Sequence, residues 1–359
     1  MKPLLLSGAL ILAGLSPAQA QVIDPQLRSL ILETQNLDTA CFSGALPEAD
    51  AMAPITGLGG TDEYGSDQAT QDFAWGVMVL GARALGGDSG SSAELADIFN
   101  EWADSGALMS TERSHDAVYA LKRTLLPMIV SYSIARPIIP EDRRIVVETW
   151  LDRLVALAST EFDGDVDFNN HRYLADSVIA AWGALSDDPS LLDTAEARLV
   201  YALTEQLRED GSWPLETRRG ARALWYTRQS LASLTFIINM LEAQGRDPMA
   251  DPTLQAQYEK ALTYLLDGIR NPAIVTKYAV ENYIPGPSAD YTQQDLSFLE
   301  TRPHGRHYMA FLASARFLVS DPDLLERIDR FLREVPEDQY PMIDEFSGGN
   351  TTCIWGFVE

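Results

Sequence analysis

Apolar side chains recur every three to four positions through most of the 359 residues, the spacing that lines one face of an α-helix. The pattern predicts helices over residues 25–37, 66–85, 92–105, 114–135, 141–159, 170–185, 191–208, 221–244, 253–269, 308–319 and 323–334. Helix starts carry capping chemistry, as in Pro140-Glu141-Asp142 and Asp251-Pro252-Thr253, where short acids and proline suit the first turn. Glycine and proline punctuate the gaps at Gly86-Gly87, Asp210-Gly211, Gly245 and Pro285-Gly286-Pro287. No stretch alternates with period two as a strand would, and no linker poor in apolar residues divides the chain. The expectation is one all-α domain of antiparallel helix pairs curled into a toroid, without the fixed repeat of a solenoid.

The one long apolar run, residues 4–15, is too short to span a bilayer. It follows Lys2 and leads to Ala18-Gln19-Ala20, a small-x-small cleavage pattern. Residues 1–20 therefore read as a secretory signal and residues 21–359 as the mature domain, periplasmic or secreted. The chain carries 52 Asp and Glu against 27 Lys and Arg, a net charge of −25. Such a surface argues against nucleic acid and anionic membranes as partners. Of the basic residues only four are lysine; the rest are arginine, whose planar fork matches a carboxylate. Cys41 and Cys353 stand near the two ends of an exported chain and could form one disulfide or remain two buried thiols.

Chemistry concentrates in two segments. In Asp167-Phe168-Asn169-Asn170-His171-Arg172-Tyr173, Asn and His open a helix, where free N–H groups and the positive end of the dipole favour an anion. The plainer reading makes Asn169 an N-cap and His171 a surface residue. In the second segment, 210–226, Arg219, Arg222 and Tyr226 follow at spacings of three and four, so on a helix they would share one face. That stripe could hold a carboxylate and present a phenol to it. Alternatively, Arg222 could pair with Glu216 or Asp210 while Tyr226 packs in the core.

Together these segments resemble the alginate lyases that fold as an incomplete (α/α) toroid, polysaccharide lyase family five. The family's Asn-Asn-His-x-Tyr is matched by Asn169-Asn170-His171-Arg172-Tyr173. Its Asp-Gly…Glu-x-x-Arg-Gly-x-Arg-Ala-Leu-x-Tyr is matched by Asp210-Gly211…Glu216-Thr217-Arg218-Arg219-Gly220-Ala221-Arg222-Ala223-Leu224-Trp225-Tyr226. Weaker echoes are Tyr64-Gly65-Ser66-Asp67, Trp102-Ala103, Trp150-Leu151, Phe298-Leu299-Glu300 and Gly348-Gly349-Asn350-Thr351.

The resemblance implies β-elimination on a β-1,4-linked uronan, with polymannuronate first and glucuronan or another uronate polymer as the alternative. The C5 proton is poorly acidic while the neighbouring C6 carboxylate is ionised, so that charge must be neutralised as the carbanion forms. Carry-over assigns this task to Asn170, His171 and Arg219, and makes Tyr226 the acid and base that takes the C5 proton and returns one to O4. Arg219 and Arg222 would supply the positive charge that favours a phenolate. Arg222, Tyr173, Arg172 and Tyr64 fall among the implied substrate-binding residues. No cofactor is required; the expected partner is an anionic polysaccharide substrate, and the protein is expected to be a monomer.

Three positions depart from the family: Leu174 stands for a usual Trp, Thr227 for a usual His, and Asp62-Glu63 for a basic residue. Replacement cations are expected from Arg302-Pro303-His304-Gly305-Arg306-His307 as lining of the cleft. A metal is not expected there, for want of a third ligand at suitable spacing. The alternating acids Asp163, Asp165 and Asp167 lack the glycine and distal glutamate of a calcium loop and read as solvated. His115 reads as a surface or packing residue, with substrate contact as the second reading. Two rival classes remain: a hydrolase using Asp210 and Glu216 as its acid pair, and a non-catalytic uronan-binding protein.

Overall fold

Short polar side chains fix where the helices begin. In the computed structural model, which describes residues 22–23, 33, 36–59, 68–160, 164, 168–281 and 290–356, Ser114 caps α3 (His115–Ala135) through the Ala117 N–H. Asn169 caps α5 (Asn170–Ser186) through the His171 N–H at 2.9 Å. Asp88 caps α2 (Ser89–Ser105) and Asp251 caps α8 (Pro252–Arg270) in the same way. The other long helices are α1 (Gln68–Leu85), α4 (Glu141–Ser159), α6 (Pro189–Thr204), α7 (Ala223–Ala243) and α9 (Pro322–Glu334).

Two kinds of helix alternate along the chain. Every residue of α5 from Leu174 to Leu185 and of α7 from Thr227 to Leu241 is buried. By contrast, α2, α4 and α8 bury one stripe each, as amphipathic surface helices do. Packing follows the same division. Inner helices α1, α3, α5 and α7 touch in succession, and α2, α4, α6 and α8 each lie outside the inner helix before them. Antiparallel pairing then makes all the inner helices run the same way, so their N-termini share one rim of the toroid.

The C-terminal segment enters the ring. Strands β1 (Ile343–Asp344) and β2 (Gly349–Asn350) pair antiparallel, Ile343 with Asn350 and Asp344 with Gly349. A Cβ on Gly348, at φ +78°, would meet Phe236 at 2.7 Å and Val130 at 2.9 Å, so only glycine lets this turn pass between α3 and α7. Asn350 Nδ2 donates to Ala40 O at 2.8 Å. Beside it Cys41 and Cys353 form a disulfide, their Cα atoms 4.8 Å apart and 312 residues apart in sequence. Closing so long a loop contributes on the order of 5 kcal/mol in the chain-entropy account.

The helical expectation is met with local corrections. The segment 308–319 keeps only a four-residue helix, Leu312–Ala315, between turns. Two two-residue strands replace the expected absence of strand, too short for any alternation to show. Most of the helix expected over 25–37, the signal segment 1–20, Asp62-Glu63 and Tyr64 lie outside the described residues.

Candidate active site

Three inner helices meet at the rim through their N-terminal turns. Lys122 Nζ on α3 donates to His171 O at 2.8 Å, and Asn170 Nδ2 on α5 donates to Gln229 Oε1 on α7 at 2.5 Å. Tyr119, one turn before Arg123 on α3, sets its ring 4.8 Å from the His171 ring. The partial positive charge of several helix ends is thereby gathered where an anion would sit.

Arg219 reaches this rim by a route the sequence spacing did not suggest. Helix α7 begins only at Ala223, and Arg219 lies outside it, before a 3-10 turn over Gly220–Arg222 in which Gly220 takes φ +58°. The turn brings the Arg219 guanidinium 3.8 Å from the centre of the Tyr226 ring. Arg222 goes the other way: more than half exposed, its Nε is 3.9 Å from Asp295 Oδ2. The expected three-residue helical stripe is thus corrected to one pair, Arg219 with Tyr226.

Beneath them lies a buried carboxyl. Glu216 Oε1 accepts from the Asn170 N–H at 2.7 Å and from Ser230 Oγ at 2.7 Å. Burial pushes Glu216 up to about 7, against the pull of Arg219 and these hydrogen bonds. His171 is held well below its ordinary value, first by burial and then by Lys122, Arg219 and His115. Its imidazole is therefore neutral at pH 7. The exposed His115 contributes to that field.

Several sequence assignments are corrected by burial. Arg172 and Tyr173 turn away from the rim, 2% and 1% exposed. The Tyr173 hydroxyl donates to Gln206 Oε1 at 2.8 Å, and Arg172 stacks 5.0 Å from the Phe168 ring. Of the three residues that follow Asn170, only His171 is not buried. Leu174 and Thr227 are fully buried, so those departures from the family fall in the core.

In the segment 302–307, Arg306 and His307 are interior groups, 2% and 1% exposed. Arg306 Nη2 donates to Gln71 O at 2.6 Å, and its Nε lies 3.1 Å from Glu345 Oε2. His307 bonds Gln339 through Nε2 at 3.1 Å and accepts from the Met309 N–H; burial brings it down to about 4. His304 pairs with Asp72 and with Arg306. Arg302 is half-buried, with its guanidinium 5.4 Å from the Trp225 ring.

Sequence reasoning did not single out Tyr119, Lys122, Arg123, Gln229, Arg228, Asp344 or Glu345. Lys122 and Arg123 carried a signal, since two adjacent cations inside the apolar run of α3 are costly unless each is put to use. The acid pair of the hydrolase reading is divided between unlike environments. Asp210 is taken by Lys277 (2.7 Å) and Tyr278 (2.5 Å) and held down at about 2 despite partial burial, while Glu216 is fully enclosed. A cavity of about 270 Å3 lined by Phe236, Met240, Phe311 and Trp355 lies toward the other end of α7, away from these groups.

A sequence-family profile described as "Alginate lyase" matches residues 62–275. A polysaccharide lyase of Stenotrophomonas maltophilia is 23% identical over 66% of this chain and 67% of its own length. An alginate lyase of Pseudomonas putida is 29% identical over 47% of this chain and 46% of its own, so the match spans under half of that relative. Among solved structures, alginate lyase A1-III from Sphingomonas species A1 superimposes with a TM-score of 0.73 at 21% identity, over 94% of this chain and 95% of that one. The shared fold is the helical toroid.

Proposed function

The chain belongs to the alginate lyase family and is a polysaccharide lyase, and from that premise we propose that it cuts β-1,4-linked uronan by β-elimination, with polymannuronate as its substrate. The observation that carries this reading is the Arg219 guanidinium lying across the Tyr226 ring at 3.8 Å, beside the helix start that bears Asn170 and His171. In this reading the guanidinium, the Asn170 amide and the neutral His171 imidazole share the C6 carboxylate of the sugar. Their hydrogen bonds strengthen as charge moves from C5 toward that group. Tyr226 as phenolate takes the C5 proton, the C4=C5 double bond forms as the C4–O4 bond breaks, and the phenol returns a proton to O4. Arg302 is the residue we assign to a neighbouring sugar carboxylate.

A second reading keeps the mechanism and changes the sugar to glucuronate. It is favoured by Arg222, which turns from the site toward Asp295, and by Asp62-Glu63 in place of a cation. Residues 1–20 would direct export, which suits a family of secreted or periplasmic enzymes. No helix among the described residues is long and apolar enough to cross a membrane.

The test is ultraviolet absorbance of the unsaturated product with polymannuronate, polyguluronate and glucuronan in parallel. A rise on polymannuronate that Tyr226→Phe abolishes supports the proposal, and a rise on glucuronan alone transfers it to the second reading. Binding of polymer without absorbance change, unaltered by Tyr226→Phe, would make the protein a uronan binder.

A further inference from the structure

Asn170 is held at both its main chain and its side chain by residues outside its own helix. Its N–H, one of the orphan donors of the first turn of α5, donates to Glu216 Oε1 at 2.7 Å. The same oxygen accepts from Ser230 Oγ at 2.7 Å. Its side-chain amide donates to Gln229 Oε1 at 2.5 Å. Glu216 has no exposed surface, Gln229 keeps 5% and Asn170 2%, so these bonds form where water does not compete for them. Glu216 is also joined to Arg219 through the backbone, the Arg219 N–H donating to Glu216 O at 3.0 Å.

Three buried polar atoms in this cluster have no hydrogen-bond partner among the described residues: Asn170 Oδ1, Glu216 Oε2 and Arg219 Nε. A cluster built only to clamp α5 to α7 would satisfy its own polar atoms. Here rigid donors and acceptors are kept in place with capacity to spare, which is how a preorganised site differs from a structural one.

We propose that Glu216 and Gln229 are positioning residues for the elimination, fixing Asn170 between them so that its amide meets the C6 carboxylate in the transition state. The inference rests on the lyase reading above. Gln229 takes one of the two amide hydrogens of Asn170 and thereby sets the plane in which the other is offered. Glu216 fixes the height of the helix start, and with it His171. Neither group touches the sugar. Their effect therefore falls on kcat, through Asn170, rather than on KM.

The experiment is steady-state kinetics on the polymer the wild type degrades, with near-ultraviolet circular dichroism to establish folding. The variants are Gln229→Met, Asn170→Ala, their combination, Glu216→Gln and Glu216→Ala. Gln229→Met should lower kcat at least tenfold with KM within threefold. Added to Asn170→Ala it should cost less than a further twofold, because its route to the substrate is already gone. Glu216→Gln, whose amide oxygen can accept the same two bonds, should keep at least tenfold more kcat than Glu216→Ala. If Glu216→Ala does not fold, Ser230→Ala, which removes one of the two bonds, replaces it and should lower kcat alone. Wild-type kcat in Gln229→Met, or the same fold-loss in both Asn170 backgrounds, would overturn the proposal while the lyase reading stands. An inactive wild type would overturn the lyase reading and this inference with it.

Discussion

Arg306 Nε and Glu345 Oε2 lie 3.1 Å apart inside the ring, with 2% of each side chain exposed. Arg123 closes on the same carboxylate from α3. Burial works against the charge on Glu345, but the two guanidinium groups outweigh it and hold the group below the usual carboxylate range. The three residues join the C-terminal hairpin to α1, where Arg306 donates to Gln71 O, and to α3, one turn from Tyr119.

Removing one member of a buried charge cluster leaves the others desolvated and uncompensated, which costs about 3–5 kcal/mol. Glu345→Gln should therefore destabilise the protein by that amount, read as a lower midpoint in urea at unchanged slope. A loss below about 1 kcal/mol would show that water or neighbouring groups reach the arginines, and that the cluster does not hold the hairpin.

The helices were legible because inner and outer elements both keep a 3.6-residue period, and caps such as Asn169 and Asp251 stand where the period starts. What the pattern could not distinguish is a polar residue facing the cleft from one enclosed in the core. Arg172, Tyr173, Arg306 and His307 are polar and lie within or close to motif residues, yet each is spent on packing or on a partner inside the fold. Their chemistry is identical in either place; only the turn of the helix and the neighbouring chain decide. The Arg219–Tyr226 pair was anticipated from a helical face, whereas the structure brings it about through the left-handed turn at Gly220. Glu216 was visible within the motif, but its tie to Asn170 spans 46 residues and no local spacing encodes it. The echoes at Trp102 and Phe298 prove to be core positions, fully buried, so they carried the fold and not the site.

The raised Glu216 carboxyl makes stability depend on pH in a definite direction. Its value is about 7 in the fold against about 4.3 for an unperturbed Glu, so the folded state retains its proton over an interval where the unfolded state has lost it. Stability from this group is complete below about pH 4 and is lost as pH rises through 7. Relative to Glu216→Gln, the wild type should lose up to about 1.4 kcal/mol per pH unit between pH 5 and 7. Comparing the two proteins cancels the buried histidines, His171 and His307, which act in the opposite sense. Urea denaturation across this range checks it, and parallel curves for the two proteins would show that Glu216 titrates normally.

Charge sets a conflict between distance and contact. The chain carries −25 overall, which repels a polyuronate at long range. At the rim, Lys122, Arg219 and Arg302 and the N-termini of the inner helices present local positive charge. Salt weakens the first effect more than the second, because screening over roughly 10 Å at 0.1 M removes distant repulsion while leaving close, partly buried pairs largely intact. The second-order constant kcat/KM should therefore rise from low salt to a maximum and then fall as the short-range contacts are screened in turn. Arg302→Ala, which removes the cation we assign to a neighbouring sugar carboxylate, should raise KM several-fold and leave kcat within about twofold, since such a group acts on ground and transition states alike. A steady decline of kcat/KM from the lowest salt upward would mean that the polymer is attracted from the outset, and that the acidic surface lies beyond electrostatic reach of the cleft.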